Sequence, residues 1–438
     1  MTFDAVQIDR DLRRRGEPRS FGWFRWLALA VLTAFSLYVY LWEFSNVQSD
    51  LYKHAVIASQ FNFGDPHSIT SRLAYPLWHI FVAALFQLGV PLSWAAAIVC
   101  ALCKALLFVL VCRYLWVMGR NRLSPSAVTV IGLLLMFVTP IRIPGVNPQV
   151  YHGIGSPTVW HNPTQLAVLV TAMLCVPYTL HCWYDFESRL PQTGAQTTLP
   201  WRKVVTLAAL LMLSLACKPT FMQALIPAAA AFFLVQWIRH PKNSRYFFQI
   251  ILAFVPAVAY FMLQYLYYTG VVVPYTSGVE FGATWGEAWS ALRNMLMMTA
   301  FPLFALLCCR KKGLFRDAGL TLILWMAFFS VLEATFFRET GLRLNHGNFN
   351  WASMSTAFML WVIVMPKFIT AVTEFRDDRT RLMRMAGEGT VASTDLNRER
   401  KALRLRSALF LAAFMLLVWH LYSASYYLYY LFSTGSTF

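Results

Sequence analysis

Charge is scarce along this chain of 438 residues, since Asp, Glu, Lys and Arg make up 13% of it while hydrophobic residues make up 58%. Runs such as 126–140 and 203–217 are apolar on nearly every side. They lack the alternation of polar and apolar positions that a soluble helix or strand shows. Short alternating segments of the kind found in membrane barrels are missing as well. The sequence therefore predicts an all-α polytopic membrane protein.

Metal-site and signal-peptide patterns are also missing. Cys100 and Cys103 have C-x-x-C spacing, but they lie inside an apolar run and no second pair follows at zinc-site spacing. We interpret the cysteines as buried thiols. The first apolar run, near 23–42, is long and has no small-residue cleavage site, so it is predicted to be the first membrane helix. With no segment typical of a soluble domain, the prediction is a single transmembrane domain, 1–438.

The distribution of Lys and Arg predicts the orientation. The net charge of +17 is attributed to the basic loops that membrane proteins keep in the cytoplasm, and nucleic-acid binding is not expected. The basic segments, with 372–405 as a solvated cytoplasmic loop, then alternate with outer loops that include 43–92 and 141–163. Three apolar runs precede the Arg113 cluster where an even number is needed. The run 74–90 is therefore predicted to be a juxtamembrane or re-entrant element, within a bundle of about 11–13 transmembrane helices.

The first outer loop contains a carboxylate and a histidine spaced four residues apart. Asp50 and His54 would share one face of a short helix. This pair is either part of a solvated interfacial helix or a catalytic carboxylate with a histidine beside it.

The second outer loop contains the segment "VYHGIGSPTVWHNPTQ", Val150 to Gln165. Asn162 and Pro163 are predicted to start the next helix, as N-cap and first helical residue. The loop as a whole offers groups that suit phosphate or sugar hydroxyls, namely Arg142, Tyr151, His152 and His161. Trp160 is a candidate for stacking on a sugar ring.

Basic residues on the side predicted to face outward form a third group of candidates. Lys218 lies at the end of a helix, directly before Pro219. Arg338, Arg343 and His346 lie in the last outer loop, with Glu333 just inside the preceding helix. Lys218 runs against the usual bias, so it either snorkels to the interface or binds an anionic lipid headgroup. Together with Arg338 and Arg343 it would form a cationic field that suits a phosphate or pyrophosphate ester. Glu333 would then pair with Arg338 or Lys218.

Three short motifs resemble those of the GT-C superfamily of integral-membrane glycosyltransferases. They are "QSDLYKHA" around Asp50, "AYPLWH" at Ala74–His79 and "ACKPTF" around Lys218. The resemblance covers roughly the first half of the chain. Metal-dependent members of that superfamily carry more acidic residues in the second outer loop. Because 141–163 contains no Asp or Glu, a divalent-metal site is disfavoured and no metal ligand is assigned. It implies a GT-C-like bundle with outer juxtamembrane helices, a catalytic base at Asp50 and a lipid-phosphate contact at Lys218.

The resemblance also implies a reaction and a location. A sugar would pass from a polyprenyl-phosphate donor to a glycan, lipid or protein acceptor at the outer face of a bacterial plasma membrane. Asp50 would deprotonate the acceptor, and Lys218, Arg338 and Arg343 would hold the phosphate.

Two other functions stay open from the sequence. A Wzy-like polysaccharide polymerase or an O-antigen ligase would use the late-loop segment "RETGLRLNHGN", Arg338 to Asn348. A transporter or lipid flippase would need polar residues and broken helices near the middle of the membrane. The polar residues of this sequence instead concentrate in the outer loops, which favours an enzyme.

Overall fold

The computed structural model describes residues 22–71, 74–119, 123–146, 156–190, 197–268, 278–309, 317–341, 348–388 and 393–436. Helices dominate this part of the chain. They are α1 (Trp23–Asn46), α2 (Asp50–Ser59), α3 (Pro66–Thr70), α4 (Leu77–Gln87), α5 (Leu92–Gly119), α6 (Pro125–Leu135), α7 (Pro163–Arg189), α8 (Trp201–Cys217), α9 (Thr220–Arg239), α10 (Ser244–Tyr268), α11 (Trp285–Cys308), α12 (Ala318–Phe336), α13 (Trp351–Glu388) and α14 (Ser393–Thr434). Strands β1 (Val279–Phe281) and β2 (Phe337–Glu339) form a small antiparallel pair. The chain is thus an all-α polytopic membrane protein.

Within the described ranges, nine helices are long and apolar enough to cross a membrane. The sequence predicted 11 to 13, and the difference lies in three apolar runs that form shorter helices. Helix α4 has 11 residues, or about 16 Å, and cannot cross a hydrocarbon core of about 30 Å. This agrees with the prediction that 74–90 does not span. The other two of these shorter helices are α6, which has 11 residues, and α8, which has 17.

Contacts between helix termini gather one end of the bundle around Asp50. Asn162, directly before α7, bonds to Asp50, and Lys218, directly after α8, lies within electrostatic range of it. The Lys218 ammonium lies over the ring of Trp351, at the start of α13. We call this the Asp50 end.

Ion pairs and one hydrogen bond join neighbouring helices towards the opposite end: Arg25 to Thr129, Asp185 to Lys203, Asp317 to Lys367 and Asp378 to Arg406. Successive helices from α7 to α14 therefore run alternately between the two ends. The alternation predicted from the basic loops is present in the packing of these helices, and those basic segments that the structure describes lie at the end opposite Asp50.

Helices α7 and α13 form the centre of the bundle. Every described residue from Ser156 to Met173 is buried, and so is every residue from Trp351 to Pro366. Both helices begin at the Asp50 end, so their first turns lie inside the protein and not in a solvated loop. Asn162 is the N-cap of α7 and Pro163 its first residue, as predicted.

Helix α11 is interrupted at Thr299, where the backbone leaves helical geometry (φ −122°, ψ 16°). Groups from other elements bond to the backbone atoms around this break. Trp361 Nε1 donates to the Met298 carbonyl at 2.8 Å, and the Phe301 amide donates to His420 Nε2 at 3.3 Å. The Ile141 amide donates to the Met297 carbonyl at 3.0 Å. Non-helical backbone at membrane depth is tolerated where protein groups satisfy it in this way.

The segment 372–405 is more helical than the predicted solvated loop with helical ends. Helix α13 has 38 residues, about 57 Å, and exceeds a membrane core of about 30 Å. Arg406, which is 6% exposed, pairs with Asp378 at 2.6 Å, and Phe375 packs on Phe410. These contacts fasten α13 to α14 where they leave the bundle. Helix therefore continues through most of this charged segment.

Sidedness is a testable prediction of the charge distribution. We expect cysteines placed at Asp65 and Thr284, both at the Asp50 end, to react with an impermeant maleimide in intact cells. A cysteine at Arg398, at the opposite end, should react only after permeabilisation. The measurement is the labelled fraction of each variant, and labelling in the reverse order would contradict the orientation.

Candidate functional site

Asp50 is the first residue of α2, and the local sequence explains why the helix starts there. Ser49 is the N-cap, and its hydroxyl accepts from the Leu51 amide. An acidic residue in the first turn is favourable because the positive end of the helix dipole lies there. His54 follows one turn later on the same helix, as the spacing predicted.

The Asp50 carboxylate is held from the side of α7. Its Oδ2 accepts a hydrogen bond from Asn162 Nδ2 at 2.8 Å, and His161 Nε2 lies 4.0 Å away. The Asp50 side chain is 35% exposed, whereas that of His161 is 2% exposed. Asp50 is therefore fixed in position but still accessible to a reactant.

The surroundings of Asp50 keep it ionised. Burial has the largest effect and by itself raises the pKa of Asp50. The nearby imidazoles of His161 and His54 and the ammonium of Lys218 lower this pKa, and so does the hydrogen bond from Asn162. Together they outweigh burial and bring the pKa below its ordinary value of 3.8. Asp50 is a carboxylate at neutral pH.

His161 is neutral at the same pH. Burial lowers its pKa to about 4, and Lys218 adds to that effect, while the charge of Asp50 opposes it. The ring lies 5.7 Å from that of Trp351. The 4.0 Å separation from Asp50 is too long for a hydrogen bond, so His161 and Asp50 do not form a charge-paired dyad.

Lys218 presents a cation to the same site. It is the C-cap of α8, and Pro219 after it is the N-cap of α9. Its side chain is largely buried, and Nζ lies 4.2 Å from the centroid of the Trp351 ring. A cation over an aromatic face keeps a favourable contact when it is partly removed from water. Lys218 is therefore held inside the protein and does not snorkel to the interface.

Gln165 joins the first turns of three helices at this site. Its amide nitrogen donates to the Trp351 carbonyl at 3.1 Å and to the Ser355 hydroxyl at 2.7 Å, both on α13. Its amide oxygen accepts from the Thr220 hydroxyl, on α9, at 2.8 Å. The N-termini of α7, α9 and α13 are thus tied together beside Lys218. Their dipoles add positive potential to that of the ammonium group.

His54 contacts a second histidine that lies deeper in the protein. His54 Nδ1 is 2.9 Å from His79 Nε2, on α4. His79 is fully buried, and its ring packs edge-on against Trp78 at 5.3 Å. Helix α4 therefore supports the helix that carries Asp50.

Two predicted phosphate ligands are positioned by other contacts. The Arg142 guanidinium lies 4.0 Å from the Tyr426 ring of α14, and the Arg142 amide donates to Ser423 Oγ. Arg338 is exposed on β2 and pairs with Glu280 and Glu287. Neither set of contacts joins these arginines to Asp50 or Lys218. The suggested pairing of Glu333 with Arg338 or Lys218 is also not among the described contacts.

Four predicted site residues lie outside the described residues: Tyr151, His152, Arg343 and His346. Their roles stay predictions. Among the residues that the structure describes, no three His, Cys, Asp or Glu side chains are grouped so that they could hold a metal ion.

Trp160 is not a platform for a sugar. Its ring is 2% exposed and packs against Tyr40 and Phe137, with the ammonium of Lys104 4.1 Å from its centroid. Lys104 is fully buried within α5, as is Glu43 near the end of α1. Both are ionisable residues in apolar runs, a signal that the sequence contained and that usually marks function or pairing.

A cavity of about 400 Å³ lies along the apolar face of α11 and not at Asp50. Leu296, Met297, Ala300 and Leu303 line it, together with Ile141. It contains none of the charged groups that gather at the Asp50 end. We therefore place the candidate site at Asp50, His54, His161 and Lys218.

No protein-family model, curated protein or solved structure matches this chain.

Proposed function

We propose that this protein transfers a sugar from a polyprenyl-phosphate donor to an acceptor hydroxyl at the extracytoplasmic face of the membrane. The observation that carries the proposal is the placement of Asp50 and Lys218 at one end of the bundle. An accessible, ionised carboxylate lies there near a buried cation, although 168 positions separate the two in the chain.

The charges at this end match what the reaction needs. The acceptor oxygen forms a bond to the anomeric carbon while the bond from that carbon to the phosphate oxygen breaks. The acceptor loses a proton to Asp50, and the departing phosphate gains negative charge. Lys218 and the three joined helix N-termini supply positive potential where that charge would build up.

A bound donor would also adjust the base. Lys218 lowers the pKa of Asp50 in the free protein, which makes the carboxylate a weak proton acceptor. A phosphate at Lys218 would offset that positive charge and add negative charge nearby. Both changes raise the pKa of Asp50. The carboxylate would become a better base when the donor is in place.

Transport of a lipid-linked substrate is the second candidate function. The sequence disfavoured transport because its polar residues concentrate in the predicted outer loops. Glu43, Lys104 and His420 are however fully buried within membrane-length helices, and α11 is interrupted at Thr299. Broken helices and buried ionisable groups occur in transporters.

A polysaccharide polymerase or ligase would use the late outer loop, part of which lies outside the described residues.

Purified protein in lipid nanodiscs, supplied with radiolabelled donors and a membrane glycolipid extract as acceptor, tests the proposal. We expect acceptor-dependent release of polyprenyl phosphate from monophosphate-linked sugars. Cleavage of only diphosphate-linked glycans would favour a polymerase or ligase. In proteoliposomes, movement of the intact donor between leaflets without cleavage would favour transport.

A further inference from the structure

The contact between His54 and His79 fixes the geometry of one side of the site. The two ring nitrogens are 2.9 Å apart, a hydrogen-bond distance, and the bond joins α2 to α4. His79 is fully buried, with Trp78 and Phe61 packed around its ring. The ring is thereby held in one orientation, with Nε2 towards His54 and Nδ1 towards the interior.

Helix α4 is itself held in place at both ends. Gln87 Nε2 donates to the Phe61 carbonyl at 2.7 Å. Before the helix begins, the Ala74 carbonyl accepts from Tyr260 Oη at 2.8 Å and from Gln264 Nε2 at 2.9 Å. His79 therefore lies on a helix that hydrogen bonds to other elements hold in position.

Only one proton can lie between His54 Nδ1 and His79 Nε2, which leaves two tautomeric arrangements. If His79 were the acceptor, its own proton would be on Nδ1. That nitrogen is buried and has no hydrogen-bond partner among the described residues. A buried N–H without a partner is rarer than a buried acceptor without one. His79 should therefore donate from Nε2, with His54 Nδ1 as the acceptor.

The protonation of His79 is restricted as well. Burial lowers its pKa well below the ordinary value, and a proton gained by the His54 ring would lower it further. An imidazolium at His79, which would need a second acceptor in the interior, is thereby disfavoured. The neutral ring with its proton on Nε2 satisfies the contact that the structure shows.

We propose that His79 is a positioning residue that holds His54 as the tautomer protonated on Nε2, so that His54 offers a hydrogen-bond donor beside Asp50 to a substrate oxygen. The tautomer is inferred from the contact between the two rings and from the burial of His79 Nδ1. Its effect on turnover rests on the proposed glycosyl transfer. With Nδ1 occupied by the His79 proton, His54 cannot take up a proton there without losing this bond. Proton removal therefore falls to Asp50, and His54 binds an oxygen that carries negative charge.

Two amide substitutions distinguish the roles of the two ring nitrogens of His79. Glutamine places its amide nitrogen near the position of Nε2 and can still donate to His54, whereas asparagine mimics Nδ1 and does not reach it. We expect His79→Gln to keep kcat/KM within a few-fold of the unchanged protein. We expect His79→Asn to lower it by about tenfold to a hundredfold, the scale of misplacing a reacting group. Equal activity of the two variants would overturn the positioning role.

Histidine-selective ¹⁵N solid-state NMR of the unchanged protein in membranes tests the tautomer without any substrate. The His54 signals are identified by their absence in His54→Gln. We expect an unprotonated Nδ1 and a protonated Nε2 at His54, and a second tautomer at His54 in His79→Asn. A protonated Nδ1 at His54 in the unchanged protein would overturn the proposal. If no donor is cleaved by the unchanged protein, glycosyl transfer fails as the function, and the NMR result still decides the tautomer.

Discussion

Replacing Asp50 with asparagine should reduce the rate of sugar transfer by about a hundredfold to ten-thousandfold, the range for loss of a positioned general base. Asparagine keeps the size of the side chain and can still bond to Asn162, but it cannot accept the proton of the acceptor hydroxyl. The variant should insert normally and still bind the lipid donor. The measurements are kcat for transfer and donor binding in nanodiscs.

Asp65→Asn is the matched control. Asp65 lies at the same end of the bundle, 15 residues after Asp50, and its side chain caps α3 by accepting from the His67 amide. Asparagine serves as an N-cap about as well as aspartate does, so this variant should keep its activity. If Asp50→Asn transfers sugar as fast as Asp65→Asn does, Asp50 is not the base.

Replacing Lys218 with glutamine should lower kcat/KM for the lipid donor by roughly tenfold to a hundredfold or more. A hydrogen bond to a charged group contributes about 1.5–3 kcal/mol, and each 1.4 kcal/mol corresponds to a factor of ten. The loss should appear mainly with intact lipid donors, because their phosphate is the group that the ammonium would contact. The measurement is donor saturation in nanodiscs.

The same substitution should change the pH profile. Lys218 is one of the groups that lower the pKa of Asp50, so its removal raises that pKa. Transfer falls when Asp50 becomes protonated, and the acid limb of kcat/KM should therefore move to higher pH in Lys218→Gln. Lys53→Gln is the control, because Lys53 is exposed on α2 near the same site. An unchanged acid limb together with unchanged donor saturation would remove Lys218 from the site.

Local patterns in the sequence were sufficient for the class of protein and for several helix boundaries. The apolar runs predicted membrane helices because their length and uniform composition suit lipid and not water. Asn162 and Pro163 start α7 as predicted, since N-cap preferences depend on a few neighbouring residues. The spacing of Asp50 and His54 placed them on one helix for the same reason.

For the charged segment 372–405, composition led to a wrong prediction of its secondary structure. Its many charges suggested solvated loop, yet α13 and α14 continue through most of it. Arginine, glutamate, leucine and methionine are good helix formers, and helix propensity does not require an apolar face on every turn. The ion pair between Arg406 and Asp378 joins these two helices.

Which residues share a site was decided by the packing of the helices. The periodicity and charge of each segment predict its depth in the membrane and its side, and so predict outward positions for Asp50, Lys218, Arg142 and Arg338. They do not determine where each helix lies around the bundle. Arg142 faces α14 and Arg338 faces Glu280, while Lys218 lies against Trp351, 133 positions later in the chain.

The links that hold the site together are equally distant in sequence. Gln165 bonds to Ser355 across 190 positions and to Thr220 across 55. His79 reaches His54 from a separate short helix. An apolar run looks the same whichever neighbour it packs against, because lipid and protein interiors are similarly apolar. The sequence by itself therefore determined the membrane helices and their order, and only the tertiary structure decided which of their polar residues meet.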